Sequence, residues 1–249
     1  MPIEHFRVLT LNIHKGFAMG PRRLVLKNIR EILRDSGANL VFLQEVIGVN
    51  RKHEQRLARW PEESQLEYLA DTVWSHHAYG KNAISQHGHH GNAILSEHPF
   101  SYWSNIDVSK MAFSQRGFIH GVIEPGVHVI CAHFGLFERE RQQQVFQMVT
   151  HIQREIPAQA PLIVAGDFND WRHKSHAALL SNPGLVEAHE ISHGQCAATF
   201  PAFFPLLRMD RIYLRGFEVG GCDSMSGNHW RDFSDHRALV ADIALTTSS

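Results

Sequence analysis

PLIVAGDFND, residues 161–170, is the stretch from which the rest of the chain can be read. The apolar run Leu162–Ala165 reads as a strand covered on both faces. Its tip carries Asp167, Asn169 and Asp170. Gly166 lets the backbone turn sharply out of the strand. Phe168 then anchors inward, and alternation along an extended segment lets Asp167 and Asn169 project together. A carboxylate beside an amide can hold a water by accepting and donating. The plainer reading is an Asx turn or a helix N-cap, a job for which Asp170 is an equally good candidate. Polar groups that interrupt a core strand favour chemistry.

Five further segments repeat the pattern. RVLTLN ends in Asn12, LVFLQE in Glu45, VHVICAH in His133 and RDFSDH in Asp235 and His236, while Asp210 opens MDRIYL. Polar tips on buried strands imply one cleft across a sheet edge, where open α/β sheets bind ligands. Taken singly, each residue reads two ways. Asn12 also suits a turn after a strand. Glu45 follows a run that reads as buried, and a buried carboxylate is costly unless paired or metal-bound. Mg²⁺ favours one or two carboxylates; Glu45 and Asp235 meet that need, with Asn12 adding a neutral oxygen. Asp235 and His236 need not touch each other, so Asp235 is free for metal while His236 turns to Asp210. Ser234 cannot form a triad with its two neighbours, and no GxSxG elbow is present. His133 by itself is a polar residue leaving a sheet. His87, His89 and His90 in QHGHHGNAILS do not complete HExxH. Gly88 and Gly91 there mark a loop from which Asn92 touches substrate. Lys15 and Arg116 are candidate phosphate contacts or plain surface charges.

The totals narrow the class. The chain has 249 residues, 43% hydrophobic and 20% charged, which fits one domain, 1–249, with a full core. A net charge of −1 gives the chain as a whole no attraction for polyanions. Three cysteines without a CxxC pair argue against a disulfide framework. MPIEHFRVLT lacks the apolar core of a secretory signal, and no apolar run approaches the ~20 residues that span a bilayer. A cytoplasmic protein with no obligate protein partner is expected.

Strands are expected at 6–12, 40–46, 92–96, 117–124, 127–133, 161–166, 210–215 and 238–245. Helices are expected at 22–35, 62–75, 138–155 and 174–181. Val145, Met148, Val149, Ile152 and Ile156 form one stripe of the third helix. Glu124-Pro125-Gly126 reads as a hairpin turn. A parallel-type opening followed by hairpins implies an α/β sandwich of two mixed sheets packed face to face, with helices outside.

TLNIHKG, FLQEV, GNAILS, AHFGL, GDFND, MDRIY and SDHRALV, in that order, resemble the endonuclease/exonuclease/phosphatase superfamily over about residues 6–245. The compact length and the NIHKG and GDFNDW wording are similar to short bacterial members, including the kind encoded beside a cardiolipin synthase. The resemblance implies a four-layered sandwich and Mg²⁺- or Mn²⁺-dependent hydrolysis of phosphoester bonds. By it, Asn12, Glu45 and Asp235 match metal-associated positions. His133 matches the second catalytic histidine of deoxyribonuclease-like members. Asp167 and Asn169 match the pair that orients water and phosphate, and Asp210 and His236 match the carboxylate–imidazole dyad. Two departures stand out. The acidic partner of His133 has no clear match, with Glu97 in its neighbourhood. FFPLLRMD, before Asp210, carries no nucleic-acid-binding insertion.

The expected mechanism places metal on Glu45 and Asp235, has Asp167 orient or deprotonate water, and has His133 protonate the leaving oxygen. His236 acts as base or as electrostatic partner. The substrate is a phosphate ester, nucleic acid or phospholipid-derived. Trp171 and Trp230 could stack a base or hold loops, and PAFFPLL (201–207) is core or a surface for acyl chains. A non-catalytic binding protein on the same scaffold is the third reading, disfavoured because a scaffold has no reason to bury uncompensated charge.

Overall fold

The computed structural model describes residues 5–18, 23–51, 60, 63–110, 114–181, 184–227 and 233–246. In chain order the elements are β1 (His5–Asn12), a 3-10 turn at His14–Gly16, α1 (Leu26–Asp35), β2 (Leu40–Asn50), α2 (Gln65–Ala70), β3 (His76–Ser85), β4 (Gly88–Ser96), β5 (Phe100–Asp107), β6 (Gly117–Ile123), β7 (Val127–His133), α3 (Glu138–Glu155), β8 (Leu162–Asp167), α4 (His176–Ser181), β9 (Val186–Glu187), α5 (Ala188–His193), β10 (Asp210–Arg215), β11 (Phe217–Ser224) and β12 (Leu239–Leu245). They form two six-stranded sheets, ordered β11-β12-β1-β2-β4-β3 and β5-β6-β7-β8-β10-β9.

Each sheet is built round one parallel pair, β1–β2 in the first and β7–β8 in the second, and the strands flanking that pair run antiparallel to it. A parallel pair needs a crossover. In both sheets the crossover contains a helix, α1 or α3, on the outer face. Alternation sorts the residues of β1: Val8 joins the core between the sheets, and Leu9 joins the core under α1 and α2. Phe42, Ile94, Val129, Ile163 and Ile212 fill the space between the sheets. Ile130, Val164 and Tyr213 face α3, whose stripe of Val145, Met148, Val149 and Ile152 is buried as expected. Four layers result. Among the described residues, no helix is long and apolar enough to cross a membrane.

Several expected boundaries move, each for a local reason. The first helix starts at Leu26, not 22, because Leu24 bridges Phe17 and the Val25 amide donates to the Gly16 carbonyl. The second is shorter than 62–75. Ser64 and Glu67 close a capping box at its start, and Asp71 at φ 46° ends it. The expected loop round Gly88 and Gly91 is strand: β4 begins at Gly88 and pairs with both β2 and β3. The described part of RDFSDH, 233–236, is not strand either; Ser234, Asp235 and His236 form the bend that feeds β12. Gly166 does not end β8. It sits inside the strand at φ 149°, where a Cβ would lie 2.0 Å from the Ala132 carbonyl oxygen of β7.

Gly166→Ala should therefore force β7 and β8 apart just behind their polar tips. Backbone strain of this kind costs about 1–3 kcal/mol, and a melting temperature lower by roughly 3–10 °C is expected by circular dichroism. A second prediction concerns acid. His120 lies between His128 and His151, with ring nitrogens 3.0 and 2.9 Å apart. Burial holds His120 down at about 4, and lowers the other two as well. Below pH 6.5 the unfolded chain then binds protons that the fold refuses, so stability is full above 6.5 and falls as pH drops toward 4. Thermal melts between pH 7 and 4.5 should show this decline, and His120→Gln should flatten it.

Candidate active site

The topology delivers the polar residues to one edge. Asn12 and Glu45 come from the C-terminal ends of the first parallel pair, His133 and Asp167 from those of the second. Because β10 and β12 run antiparallel to those pairs, their N-terminal ends reach the same edge. Asp210 stands opposite Asp167 in the ladder, and the Ser234–His236 bend arrives beside Asn12. Asn12, Glu45, His133, Asp167, Asp235 and His236 line a cavity of about 280 Å³ with His14, Lys15, Arg116, Leu136, Asn169, Phe200 and Met209, and Asp210 stands behind His236.

Asp167 is the centre of the arrangement. It is 1% exposed, and its Oδ2 accepts a hydrogen bond from Asn12 Nδ2 at 3.1 Å. The same oxygen faces His133 Nε2 at 3.6 Å and His236 Nε2 at 3.8 Å. Its Oδ1 accepts from the Asn169 amide. Burial raises this carboxyl to about 6, against the pull of His236. His236 is anchored by Asp210, whose Oδ2 lies 2.8 Å from Nδ1. Burial alone would lower the imidazole, but Asp210 and Asp167 override it and lift His236 to about 10. The expected dyad therefore forms, with Nε2 left for the cavity. His133 takes the opposite course, because burial and then Arg116 hold it well below the ordinary histidine value.

The carboxylates assigned to metal face cations. Asp235 Oδ1 lies 2.9 Å from His14 Nδ1, and Glu45 Oε2 lies 3.3 Å from Lys15 Nζ. The Asp235 bond raises His14; burial opposes the lowering of Asp235, and the His14 bond together with the charge of His236 outweighs it. The backbone here is strained in a way that re-aims side chains. His14, Lys15 and Glu45 have φ of 46°, 59° and 60°. Glu45 sits where the β2–β4 register slips between Leu43 and Val46, a bulge that turns its carboxylate to the cavity. Such strain in non-glycine residues clusters at functional sites. Asn169 also has positive φ, 51°, a conformation asparagine tolerates.

Buried polar groups brace the edge. Ser234 Oγ donates to the Asn12 carbonyl and accepts from the His236 amide, so its work is to tie the bend to β1. The Gly135 amide donates to Gln144, and Arg141 donates to the Gly135 and Leu136 carbonyls. Asn169 Nδ2 donates to Phe134 O, which docks the GDFND loop on the segment after His133.

Some expectations are corrected. Asn92 is 1% exposed, and its Nδ2 donates to the Gly117 and Cys131 carbonyls, so it brackets the two sheets behind His133 and does not reach out from a loop. Glu97 follows the end of β4 that pairs with Leu40, the edge opposite Glu45; it is not the partner of His133. The carboxylate facing His133 is Asp167. Asp170 takes the capping job, accepting from the Lys174 and Ser175 amides. Trp171 lies 5.0 Å from the Arg141 guanidinium and holds a loop, while Trp230 falls outside the described residues. His89 bonds the Tyr79 hydroxyl, and His90 lines a recess beside Glu45. Sequence reasoning missed His14 and Phe200, whose ring lies 5.0 Å from that of His236. The only signal for His14 was its place in NIHKG.

Comparison with known proteins agrees with this geometry. The profile of the Endonuclease/Exonuclease/phosphatase family matches residues 9–236. The Escherichia coli (strain K12) protein YbhP is 43% identical over 245 residues, covering 96% of each chain. An endonuclease/exonuclease/phosphatase from Beutenbergia cavernae superposes with a TM-score of 0.78 at 20% identity, covering 97% of this chain and 72% of that one. TDP2 of D. rerio, complexed with a single-strand DNA product, superposes with a TM-score of 0.71 at 19% identity, covering 96% of this chain and 99% of that one. A family match over nearly the whole chain, on a sandwich whose strand tips converge in this way, makes the protein a member of the endonuclease/exonuclease/phosphatase family.

Proposed function

We propose that this protein is a divalent-metal-dependent phosphodiesterase in which Asp167 activates water and His236 neutralises the phosphoryl group. The observation that carries the reading is the environment of Asp167 Oδ2, faced by Asn12, His133 and His236 within 3.8 Å. Family membership supports hydrolysis of phosphoester bonds.

The roles follow from charge. A phosphodiester repels nucleophiles because it is anionic, so a site must supply positive charge and place water in line. Asp167, raised to about 6, is ionised at neutral pH yet basic enough to take a proton from water. His236, held protonated up to about 10, cannot act as a base at neutral pH. Its Nε2–H is a fixed cationic donor for a non-bridging oxygen, with Asp210 setting the tautomer. His133 stays neutral, so it donates a hydrogen bond from a neutral ring, and the role of acid toward the leaving oxygen is dropped. Asn169 keeps one Nδ2 hydrogen for the phosphate after serving Phe134. Lys15 and Arg116 line the cavity as further phosphate contacts.

Glu45, Asp235 and Asn12 would hold the ion. Hard oxygen donors of this kind suit Mg²⁺ or Mn²⁺. The nearby Lys15 and His14 balance the two carboxylates in the same place where a divalent charge would. When bound, the ion supplies Lewis-acid neutralisation of the phosphate charge.

Asp167→Asn and His236→Ala should each lower kcat on bis-p-nitrophenyl phosphate by roughly 10²–10⁴ while remaining folded by circular dichroism. Equal turnover by Asp167→Asn contradicts its role. The pH profile of kcat/KM should rise through about 6 as Asp167 ionises and fall through about 10 as His236 loses its proton. Asp210→Asn removes the carboxylate that holds that proton, so the alkaline limb should move down by roughly one to three pH units. Chelation should abolish turnover and Mg²⁺ or Mn²⁺ restore it. Calorimetry with Glu45→Gln should show weaker metal binding. A parent that binds neither ion points back to a non-catalytic scaffold.

A further inference from the structure

The PAFFPLL segment resolves into a feature the catalytic reading does not use. Leu207 pairs back on Phe200 through two backbone hydrogen bonds, Leu207 N to Phe200 O at 2.8 Å and Phe200 N to Leu207 O at 3.1 Å. The Phe204 amide closes a turn on Pro201. The other flank is bolted to the catalytic bend: the Ala202 amide donates to the Asp235 carbonyl at 2.7 Å, and Arg237 Nε donates to the Ala202 carbonyl. The base of the loop, Phe200, lines the cavity against His236. Its tip turns outward, with Phe204 63% and Leu206 65% exposed. Leu136 also lines the cavity and is itself 55% exposed. The cavity thus opens among large apolar side chains that stand in water.

We propose that this apolar rim seats the protein on a phospholipid bilayer, so that the site acts on the phosphodiester of a membrane lipid. The substrate class rests on the hydrolase reading; the docking does not. Exposed apolar groups gathered at one place mark an interaction surface, and a braced loop presents them with little ordering entropy left to lose. Charge selects the occupant. The cavity offers Lys15 and Arg116 to an anionic group. Arg208 and Arg237, which flank the loop, hydrogen-bond to Gln195 and to the Ala202 carbonyl. One anionic group to the cavity and hydrocarbon to the rim is the pattern of a phospholipid, not of a polyanion.

The test uses three proteins: the parent, Phe204→Ser/Leu206→Ser and Asp167→Asn. Each is sedimented with sucrose-loaded vesicles of phosphatidylcholine and phosphatidylglycerol. Each is then assayed on those vesicles, on bis-p-nitrophenyl phosphate and on a single-stranded oligonucleotide. Parent and Asp167→Asn should partition alike. The double variant should partition about tenfold less or worse, since each side chain withdraws its apolar area from the bilayer. Its turnover of vesicle lipid should fall in step, and its turnover of the soluble diester should stay within about twofold. A parent that remains in the supernatant overturns the proposal. So does a double variant that partitions like the parent but loses oligonucleotide hydrolysis, because the rim then serves nucleic acid. Soluble-diester turnover that survives Asp167→Asn sinks the catalytic reading alone, and vesicle binding still decides the docking.

Discussion

A carboxylate shut between two sheets sets the terms for the rest of the molecule. Asp167 is nearly inaccessible to water, and an isolated buried anion of this kind is strongly unfavourable. The chain answers with the nearby Asn169 amide and with two groups brought from far away in sequence, Asn12 from the first strand and His236 from the last bend. His236 in turn requires a second buried carboxylate, Asp210, to remain charged. Each group is tolerated because another is present. The two-sheet architecture is what lets them meet, since the edge of one parallel pair lies against the edge of the other.

That mutual dependence also explains the site's division of labour. Two histidines point the same nitrogen at the same oxygen, yet one is held cationic and the other neutral. The difference lies in their second partners. His236 has a carboxylate behind it, whereas His133 has burial and the field of Arg116. The pair therefore offers one charged and one neutral donor to a phosphate, with the carboxylate between them poised near neutrality. The oxygens proposed to hold metal belong to a region where a bulge and three residues of positive φ trade backbone comfort for side-chain direction.

Much of this was legible in the chain. β7, β10 and α3 appear at the expected residues because their patterns are clear: two short, mainly apolar strands that each carry a polar residue at one tip, and one helix with a stripe at regular spacing. The polar tips were legible for the same reason, since Asp, Asn and His stand out where a buried run stops. The missed elements lacked that contrast. β5 is an edge strand that shows Ser101, Tyr102 and Trp103 to water, and β11 contains Gly220 and Gly221. β3 carries Lys81, Asn82 and His77 at a sheet edge. Edge strands bury little, so they leave little periodicity to read. Nor could sequence give the sign of a charge balance. The neutrality of His133, the inward turn of Asn92 and the contact of His14 with Asp235 all depend on distances between segments far apart in the chain.

The central claim is that the fold holds Asp167 as a weakly acidic, buried carboxyl enclosed by two imidazoles. Isotope-edited infrared difference spectroscopy of the metal-free protein, with Asp167→Asn subtracted to isolate its carboxyl band, measures this directly. A band that titrates near 6 is the predicted result. A band that titrates near ~4, the ordinary aspartate value, would mean that water reaches the group and that the enclosure described here does not exist.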